Sequence, residues 1–485
     1  MMLVESTGNR PDLQSIYGIA REVAALYDLP LADMPGDRPQ PRPAETVEIT
    51  IEDFAGCPRY IGRRFEGVAI GPSPVWLRAR LFAAGMRPIS NVVDVTNYVM
   101  LALGSPLHAF DSTTLHEQRI VVRRATPGEK LRTLDGVERE LDPTDLVIAD
   151  ADRPVAIAGI MGGEETEIGE QTTTVLLEAA NFDPYTIYLT SERHRLRSEA
   201  SNRWEKGVDP YAAEAAADLA TTLILELTGG ELAAAADVHD GLPERPVIPY
   251  RPERADAVIG VATPPADQYA LLARLGFEHR GGDVVAPTWR APDVTREIDV
   301  VEEVARFRLE DVPFTLPARR QMFGVLTREQ QLRRRLEDAL VGLGFAETYT
   351  PSLVPDEETL PSLVEAARRN VDAGAHAIAL FEIARVYLTG GELPEERLRV
   401  AGICQGGFLR VKGVVEALYA ALKAEPAFER AEHALLHPGK AAKTPAGILG
   451  ELHPRLLEGE WGAFELDLDD LFAAAHEPVM YTDVI

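Results

Sequence analysis

The sequence predicts a multidomain α+β protein, and three observations lead to that prediction. The chain has 485 residues, several times the roughly 100–200 of a typical domain, and 46% of them are hydrophobic, which is ample for sizeable cores. Segments with an apolar period of two are mixed along the chain with segments of helical period. Proline-rich stretches at 35–43 and 243–249 mark predicted linkers or domain boundaries, because proline denies regular structure.

The N-terminal part predicts one helix followed by a strand-rich domain. Apolar residues at helical spacing predict a helix over 16–29, and alternation predicts a strand near 47–51. Ser73 and Pro74 have the residue types of an N-cap and a first helical position, so a short helix is expected from there to Gly85.

Further strands are expected after residue 119, where the apolar period changes towards two. Asp135-Gly136 between two alternating segments is the sharpest hairpin signal in the chain. Thr173–Phe182 is predicted as a strand, and an alanine-rich helix over 210–227 is expected to end at Gly229-Gly230. The other strands predicted here are 120–124, 130–134, 137–141, 146–148 and 155–160.

A smaller unit is predicted after residue 243. A helix near 267–275, a hairpin through Gly281-Gly282 and a helix over 296–307 have the size and order of a winged-helix-like domain. That architecture is not by itself diagnostic of DNA binding.

The last predicted domain begins near Ala318 and mixes strands with helices. Thr327 and Gln330 have the spacing of a capping box for a long helix that runs to Leu343. The strands predicted beyond it are 378–381, 386–388 and 399–404, and the helices are 363–370 and 411–423.

Composition limits the possible partners and the cellular compartment. The formal charge is −28, from 77 acidic and 49 basic residues, so nucleic acid binding requires local basic patches or a partner. Cys57 and Cys404 show no metal-ligand spacing and fit a reducing compartment. The N-terminus lacks the pattern of a signal peptide, and no apolar run reaches the ~20 residues of a membrane helix. A soluble cytoplasmic protein is expected.

Polar residues interrupt the apolar segment 91–100. Asp94, Thr96 and Asn97 lie within 91–100, and a Gly-Ser-Pro turn then leads to His108. Because buried polar groups without partners cost several kcal/mol, such a cluster marks either a functional site or a satisfied core network.

Two other residues are candidates for the same site. Gly159 lies at a glycine-rich strand end where backbone approaches a ligand closely, although such an end is often only a tight turn. Glu178 is a carboxylate inside a mostly apolar strand, which is uncommon unless it is paired or functional. The chain has no Gly-x-Ser-x-Gly motif and no spacing that pairs a cysteine with a histidine, so hydrolysis here would depend on positioning a water and a substrate.

A second constellation consists of four carboxylates. Asp299, Glu302 and Glu303 are spaced to share one helix face, and Asp293 lies on the approach to it. A divalent cation such as Mg²⁺ would relieve their repulsion. The alternative is a solvated acidic first turn, which the helix dipole favours.

Ordered motifs extend from residue 9 to residue 306 of the chain. They begin with Asn9-Arg10-Pro11-Asp12-Leu13 and end with Val301-Glu302-Glu303-Val304-Ala305-Arg306. The motifs between them are 17–22, 73–77, 93–98, 106–111, 158–163, 177–179 and 199–210. This set resembles the beta subunit of bacterial phenylalanine–tRNA ligase, and its extent is far more specific than any single motif.

The resemblance implies an assembly and a fold for each part. Enzymes of this family contain two alpha and two beta subunits; alpha binds ATP and charges tRNA(Phe), and beta carries an editing site, RNA-contacting domains and a degenerate synthetase core. The implied domains are an N-terminal helix with proline-rich linker (1–45), a mixed α/β editing domain (46–242), a winged-helix-like domain with the magnesium cluster (243–317), and a shortened, degenerate class II synthetase-like core with an antiparallel sheet (318–485). An alpha subunit and tRNA(Phe) are the expected partners, without membrane or DNA.

The resemblance also implies an editing reaction and its residues. A pocket shaped for phenylalanine cannot strongly reject tyrosine, so a second pocket that hydrogen-bonds the extra hydroxyl removes the error by hydrolysing Tyr-tRNA. Glu178 would accept that hydroxyl, and His108 with Asn97 would orient the ester or a water. The implied positions are Thr96, Asn97, His108 and Glu178 for catalysis, Ala158, Gly159 and Ala200 for substrate binding, and Asp293, Asp299, Glu302 and Glu303 for Mg²⁺.

The sequence departs from the family pattern in several places. The family's N-terminal oligonucleotide-binding domain and C-terminal anticodon-contacting domain are expected to be absent, and the segment between Val354 and Leu363 is shorter. Trp204 and Lys206 stand where the family usually has Phe and Arg. Two competing hypotheses therefore stand beside the beta subunit: a free-standing Tyr-tRNA deacylase, and a non-catalytic scaffold or DNA-binding regulator, against which the charge of −28 argues.

Overall fold

The computed structural model describes residues 4–36, 43, 45–315, 324–354, 357–391 and 393–476. The chain divides into two compact units, Met1–Thr315 and Leu316–Ile485. Each unit contains both helices and β-sheets, which confirms a mixed α/β multidomain chain with several sheets. The predicted boundary at Ala318 and most of the linker at 35–43 lie outside the described residues.

The helices of the first unit begin and end largely where local signals place them. The Ser15 hydroxyl caps the first helix by accepting from the Gly18 amide, and Ser90 caps the third by accepting from Val93. Gly104, at φ 79°, ends that third helix. The helices are α1 (Ile16–Tyr27), α2 (Val75–Ala83), α3 (Asn91–Leu103), α4 (Pro184–His194), α5 (Glu199–Trp204), α6 (Ala212–Thr228), α7 (Pro252–Ile259), α8 (Pro265–Arg274) and α9 (Glu297–Ala305).

The predicted role of Ser73 as the N-cap of α2 is wrong. Pro74 occupies the N-cap position and no side chain caps the helix. The Ser73 hydroxyl instead donates to the Asp94 carboxylate at 2.6 Å, and Asp94 also accepts from the Ile89 amide at 2.7 Å. The Ser73 hydroxyl therefore binds a charged tertiary partner, Asp94, and does not cap the helix as the local sequence pattern predicted.

The strands of the first unit form a four-stranded sheet, a five-stranded sheet, a three-stranded sheet and a two-stranded ribbon. The strands are β1 (Glu48–Ile51), β2 (Arg59–Glu66), β3 (His108–Asp111), β4 (Arg119–Arg124), β5 (Lys130–Arg132), β6 (Glu138–Glu140), β7 (Leu146–Ala149), β8 (Pro154–Ile157), β9 (Met161–Gly162), β10 (Thr174–Asn181), β11 (Glu231–His239), β12 (Val247–Pro249), β13 (Glu278–Arg280) and β14 (Asp283–Val285). The hairpins predicted at Asp135-Gly136 and Gly281-Gly282 are confirmed as β5–β6 and β13–β14. The strand predicted over 155–160 instead stops at Ile157, because a turn with Gly159 at φ 67° intervenes before β9.

The four-stranded sheet, in the order β11-β2-β10-β3, is covered on both faces. Alternate residues of β10 face opposite sides, as a strand requires. Val175 and Leu177 pack in one core with α3 and α6, and Leu176 and Ala180 pack in another with the five-stranded sheet, in the order β1-β4-β7-β8-β9. We call these the helix face and the inner face of the four-stranded sheet.

Helices α7, α8 and α9 pack with the three-stranded sheet, in the order β12-β14-β13, around a separate core. Ala25 of α1 belongs to that same core, and the Arg274 side chain donates to its carbonyl oxygen. The N-terminal helix, predicted as a segment of its own, therefore contributes a residue to this core.

The second unit is built on a seven-stranded sheet in the order β15-β16-β17-β21-β20-β19-β18. Its described strand pairings are antiparallel except for β15 with β16. The strands are β15 (Ala346–Glu347), β16 (Ala379–Leu388), β17 (Glu395–Gln405), β18 (Glu429–Arg430), β19 (Leu436–Thr444), β20 (Gly447–Leu452) and β21 (Trp461–Asp467). The helices are α10 (Arg328–Gly342), α11 (Leu360–Asp372), α12 (Phe408–Ala421) and α13 (Leu468–Ala473).

One local prediction in this unit is confirmed and one is corrected. Thr327 and Gln330 form the predicted capping box of α10. The two strands predicted at 378–381 and 386–388 are one continuous strand, β16. Glu382 interrupts its apolar pattern, but the carboxylate is buried and accepts from the amide and hydroxyl of Thr350 at 2.9 and 2.7 Å. Among the described residues of both units, no helix combines the length and apolarity needed to cross a membrane.

Candidate hydrolytic site

A cavity of about 380 Å³ opens on the inner face of the four-stranded sheet. It is bounded by β3 and β10, by the β8–β9 turn and by α5. The residues that line it are Pro106, Leu107, His108, Ala156, Ile157, Gly159, Ile160, Met161, Gly162, Glu178, Ala200 and Trp204.

His108 and Glu178 are the two titratable residues in this lining, and strand pairing brings them together. They are direct partners in the antiparallel register of β3 and β10. Directly paired residues project to the same face of a sheet with Cβ atoms roughly 4.5–5.5 Å apart. The sequence-predicted imidazole and carboxylate therefore share one cavity, although they lie far apart along the chain.

The His108 ring is held in a tight, mostly apolar position. Phe110 meets it edge-on with ring centroids 4.6 Å apart. A Cβ atom on Gly162 would lie only 2.6 Å from ring atoms Cε1 and Nε2, so glycine is required there to leave room for the imidazole. Burial lowers the pKa of His108 to about 4, so the ring is neutral at pH 7 and offers one donor and one acceptor nitrogen.

Glu178 is a buried carboxylate with one oxygen held and one open. Burial raises the pKa of Glu178 to about 7, although the hydrogen bond from Tyr60 opposes that shift. The Tyr60 phenol, itself fully buried on β2, donates to Oε2 at 2.9 Å. Oε1 takes no hydrogen bond from the described residues and is available to a group in the cavity.

A thiol near this carboxylate is not arranged as a nucleophile. Burial and the Glu178 charge raise the pKa of the Cys57 thiol well above its usual range. The Cys57 Sγ donates to the Arg59 carbonyl oxygen at 3.3 Å. A thiolate is the reactive form of cysteine, so Cys57 is a structural residue here.

The wall opposite the sheet is formed by the β8–β9 turn and α5. At Gly159, a Cβ would lie 2.9 Å from the Trp204 ring and 3.0 Å from that of Phe182, and the positive φ adds strain for any other residue. The Ser198 hydroxyl, which caps α5, donates to the Ile160 carbonyl oxygen at 3.1 Å. This bond ties the helix that carries Ala200 to the turn that carries Gly159.

The predicted residues do not all reach the cavity. His108, Glu178, Gly159 and Ala200 line it. Ala158 is completely buried behind the lining. Thr96 and Asn97 lie on α3, which packs on the helix face, and neither lines the cavity.

Two polar residues of the 91–100 segment belong to core contacts. The Thr96 hydroxyl donates to the Val93 carbonyl oxygen at 2.8 Å within α3. Asp94 is buried and satisfied by Ser73 and the Ile89 amide. Both side chains therefore have hydrogen-bond partners within the protein.

Sequence reasoning missed Tyr60 and Trp204 as residues of the site. Tyr60 lies on β2, whose arginines and glycine hide any alternating pattern. Trp204 lay within a recognised motif, but no local signal showed that its ring would close the cavity. Only the pairing of β2 with β10 and the packing of α5 bring these rings to Glu178 and Gly159.

Three of the four predicted magnesium carboxylates take arginine or backbone partners, and the four do not converge. Asp293 accepts from Arg290 at 2.9 Å, and the buried Glu303 accepts from Arg290 at 2.6 Å and from Arg306 at 2.5 Å. Asp299 accepts from Arg296 at 2.9 Å and from two backbone amides at the start of α9. Glu302 is exposed to solvent.

This arrangement does not fit a cation held by the chain alone. Within the described ranges, no group of three or more His, Cys, Asp or Glu side chains is placed to hold a metal ion. Burial raises the pKa of Asp293 even with Arg290 beside it, which shows how little solvent reaches this carboxylate. A cation at this place has to displace arginines that already neutralise the carboxylates.

Family models match three parts of the chain. The model described as B3/4 domain matches residues 56–229, which include the whole cavity lining. The model described as tRNA synthetase B5 domain matches residues 248–308. The model described as phenylalanyl tRNA synthetase beta chain CLM domain matches residues 356–468.

Curated relatives align along almost the whole chain. The phenylalanine–tRNA ligase beta subunit of Moorella thermoacetica is 41% identical over 96% of this chain and 66% of its own length. That of Geobacter sulfurreducens is 39% identical over 97% of this chain and 67% of its own length. The chain thus spans about two thirds of the length of these relatives. Among solved structures, an N-terminal fragment of the phenylalanyl-tRNA synthetase beta subunit from Pyrococcus horikoshii aligns over 62% of this chain and 84% of its own, at 16% identity and a TM-score of 0.33.

Proposed function

Because the chain belongs to the family of phenylalanine–tRNA ligase beta subunits, we propose that its cavity hydrolyses Tyr-tRNA(Phe). The observation that carries this proposal is the Glu178 carboxylate, which has one oxygen held by Tyr60 and the other open to an apolar cavity. A tyrosine side chain that enters the cavity brings a hydroxyl to that open oxygen. A phenylalanine side chain leaves the buried oxygen without a partner, which costs free energy and disfavours the correctly charged tRNA.

The chemistry of this hydrolysis is positioning. The lining holds no serine, cysteine or lysine that could attack the ester. The neutral His108 ring provides a donor and an acceptor nitrogen, with which it orients the ester carbonyl or the attacking water. Fixing the ester by its aromatic end at Glu178 and its carbonyl end near His108 supplies the proximity that a reaction without a covalent nucleophile needs.

The remaining family positions are part of the same proposal. Thr96 and Asn97 are retained as editing positions because the family motif places them there, with Asn97 as a partially exposed amide on α3. Ala158 shapes the cavity from behind the lining. The observation that supports these three roles is the motif match, since none of the three lines the cavity.

For the assembled enzyme we propose the organisation typical of the family. An alpha subunit, with two copies of each chain, binds ATP and charges tRNA(Phe), and this chain supports it in the cytoplasm. The seven-stranded sheet of mainly antiparallel strands is the degenerate class II synthetase-like core, and the α7–α9 domain is the winged-helix-like domain. Asp293, Asp299, Glu302 and Glu303 remain the proposed Mg²⁺ ligands of the assembled enzyme. The arginines that pair with Asp293, Asp299 and Glu303 have to move there.

The test replaces Glu178 with alanine. Loss of one hydrogen bond to a charged group, about 1.5–3 kcal/mol, should slow Tyr-tRNA(Phe) hydrolysis roughly ten- to hundredfold. Hydrolysis of Phe-tRNA(Phe) serves as the internal control, because its side chain has no hydroxyl for Glu178 and its slow rate should not fall. A Glu178→Ala variant that folds and still hydrolyses Tyr-tRNA(Phe) at the wild-type rate would refute the assignment.

The competing predictions receive no support from the comparisons. The relatives described above are beta subunits. A free-standing deacylase would not associate with an alpha subunit, so size-exclusion chromatography after co-expression with a matching alpha chain separates the two possibilities.

A further inference from the structure

Residues 67–93 are unusual in the charge pattern of this chain. They contain three arginines, Arg78, Arg80 and Arg87, and no aspartate or glutamate, whereas the whole sequence has 77 acidic residues among 485. The segment covers α2 and the start of α3, on the helix face of the four-stranded sheet. A local positive surface on a chain of net charge −28 determines which side a polyanion approaches.

These arginines are exposed and lack carboxylate partners. Arg78 and Arg87 make no ion pair or hydrogen bond with the described residues. Arg80 donates to the Tyr98 hydroxyl at 2.8 Å, and its guanidinium lies 5.3 Å from the centre of the Trp76 ring. Other exposed arginines have carboxylate partners; Arg251, Arg280 and Arg369 each lie 2.9 Å or less from a glutamate.

Large apolar side chains lie beside these arginines. Helix α2 buries Leu77 and Leu81 against the sheet, while Val75 and Phe82 on its outer side are each 78% exposed. The Trp76 ring meets Tyr98 edge-on at 5.6 Å. Exposed apolar groups clustered with unpaired arginines mark a binding surface, because a monomer gains nothing from leaving both in water.

We propose that this surface binds the backbone of RNA. We name it the arginine surface and define it by Val75, Trp76, Arg78, Arg80, Phe82 and Arg87. Arginine pairs with phosphate oxygens through a planar fork of donors, and exposed rings offer stacking platforms for unpaired bases. The inference rests on the proposed function, in which the RNA is the tRNA whose ester enters the cavity. A protein partner is the less favoured occupant, since it would have to bring an acidic surface of its own to match three uncompensated charges.

The test compares two triple variants that change the net charge equally. Arg78, Arg80 and Arg87 are replaced with glutamine in one, and the ion-paired Arg251, Arg280 and Arg369 in the other. Binding of uncharged tRNA(Phe) is followed by fluorescence anisotropy between 50 and 200 mM NaCl. The first variant should lose about tenfold or more in affinity at 0.1 M salt, and the slope of log K against log salt should flatten by roughly 2–3, for about 0.7–0.9 per lost phosphate contact.

The control triple should bind as the wild type does. Equal weakening in both variants would reduce the effect to net charge, and unchanged binding in the first would remove the arginine surface as an RNA site; either result overturns the proposal. Because Arg80 contacts Tyr98, an Arg78→Gln, Arg87→Gln double variant repeats the measurement without disturbing that contact, and it should show about two thirds of the change in slope. A first triple that binds RNA normally but no longer co-elutes with an alpha subunit would assign the surface to a protein interface instead.

The outcome is separable from that of the proposed function. 3′-O-Tyrosyl-adenosine carries the ester without an RNA body, so its hydrolysis needs the cavity alone. The arginine-surface triple should hydrolyse this ester at the wild-type rate while its hydrolysis of Tyr-tRNA(Phe) at low concentration falls with affinity. A wild-type chain that hydrolyses neither ester would refute the proposed function, whereas equal loss on both esters in the triple would refute the separate RNA surface.

Discussion

At the scale of single residues, the site depends on the hydrogen bond that Tyr60 donates to one oxygen of Glu178. Burial alone favours the neutral carboxyl, which raises its pKa, and the phenol hydrogen bond favours the ionised form. The balance leaves a pKa of about 7, so a large fraction of Glu178 is ionised at neutral pH and accepts a hydroxyl at Oε1. His108, by contrast, is neutral throughout that range because its pKa is lowered to about 4. Burial thus acts in opposite directions on the acid and the base.

Replacing Tyr60 with phenylalanine should move the pH dependence of editing to the alkaline side. Without the phenol donor the ionised form loses a hydrogen bond of about 1.5–3 kcal/mol, which raises the Glu178 pKa by roughly one to two units above its value of about 7. The rate of Tyr-tRNA(Phe) hydrolysis, which rises as Glu178 ionises, should therefore reach its midpoint at higher pH, and the measurement is a pH–rate profile. Tyr211→Phe is the matched control, because that phenol donates to the Pro243 carbonyl oxygen at 2.9 Å, outside the cavity lining. An unchanged or acid-shifted midpoint in Tyr60→Phe would contradict this role for the phenol.

At the scale of elements, α5 is a short helix that closes the cavity. Its six residues gain little from helix formation itself, so its position depends on tertiary contacts. Ser198 and Ser201 form a capping box at its start, Ser198 also bonds the Ile160 carbonyl, and Trp204 packs edge-on against Phe182 with centroids 5.2 Å apart. Two residues of α5 line the cavity, Ala200 and Trp204, and Ala200 has the smaller side chain.

Replacing Ala200 with tryptophan should fill the cavity while the fold persists. The indole occupies the part of the cavity that the substrate side chain would enter, so Tyr-tRNA(Phe) hydrolysis should fall by roughly a hundredfold or more. The melting midpoint should stay within a few degrees of the wild type, because Ala200 is only partly buried and faces open space. Glu199→Trp adds the same ring at an exposed position of α5 and should leave hydrolysis intact. It removes one carboxylate partner of the buried Arg203, which keeps its hydrogen bonds to the carbonyl oxygens of Glu199 and Gln14. A collapsed midpoint in Ala200→Trp would make this alanine part of the core.

At the scale of the whole molecule, buried carboxylates are neutralised by arginines. Arg290 is buried and shared by Asp293 and Glu303, and Arg306 bonds both Glu303 and Glu22 of α1. This network joins the N-terminal helix to α9 within the first unit. Breaking one member would leave a buried charge uncompensated, which is a costly change in a protein interior.

Because arginines already neutralise these carboxylates, magnesium should not stabilise the isolated chain specifically. Melting midpoints in millimolar MgCl₂ and in NaCl at equal ionic strength should agree, since both salts only screen exposed charges. A ligand that binds the folded state would raise the midpoint by mass action. A rise found with MgCl₂ alone, and lost in Glu302→Gln, would show that the four carboxylates do hold the cation. The same titration with an alpha subunit present tests the site proposed for the assembled enzyme.

The sequence by itself determined those features that are encoded by neighbouring residues. Helical spacing predicted α1, and the Thr327 capping box predicted α10. The hairpin at Asp135-Gly136 formed as its residue types require. Ordered motifs were enough to identify the family. The sequence singled out His108 as an imidazole after a turn and Glu178 as a carboxylate within an apolar strand, and both line the cavity.

Only the tertiary structure decided which of these groups meet. Strand register placed His108 opposite Glu178 and brought the Tyr60 phenol to Oε2 of Glu178. These residues lie on three strands, and the local sequence of each strand does not indicate its partners. Long-range contacts also paired the Ser73 hydroxyl with Asp94 and placed α3 on the face of the sheet away from the cavity. They placed arginines beside three of the predicted magnesium carboxylates. Periodicity specifies the face on which a side chain lies within its own element, whereas the identity of its partner depends on strand pairing and helix packing between distant segments.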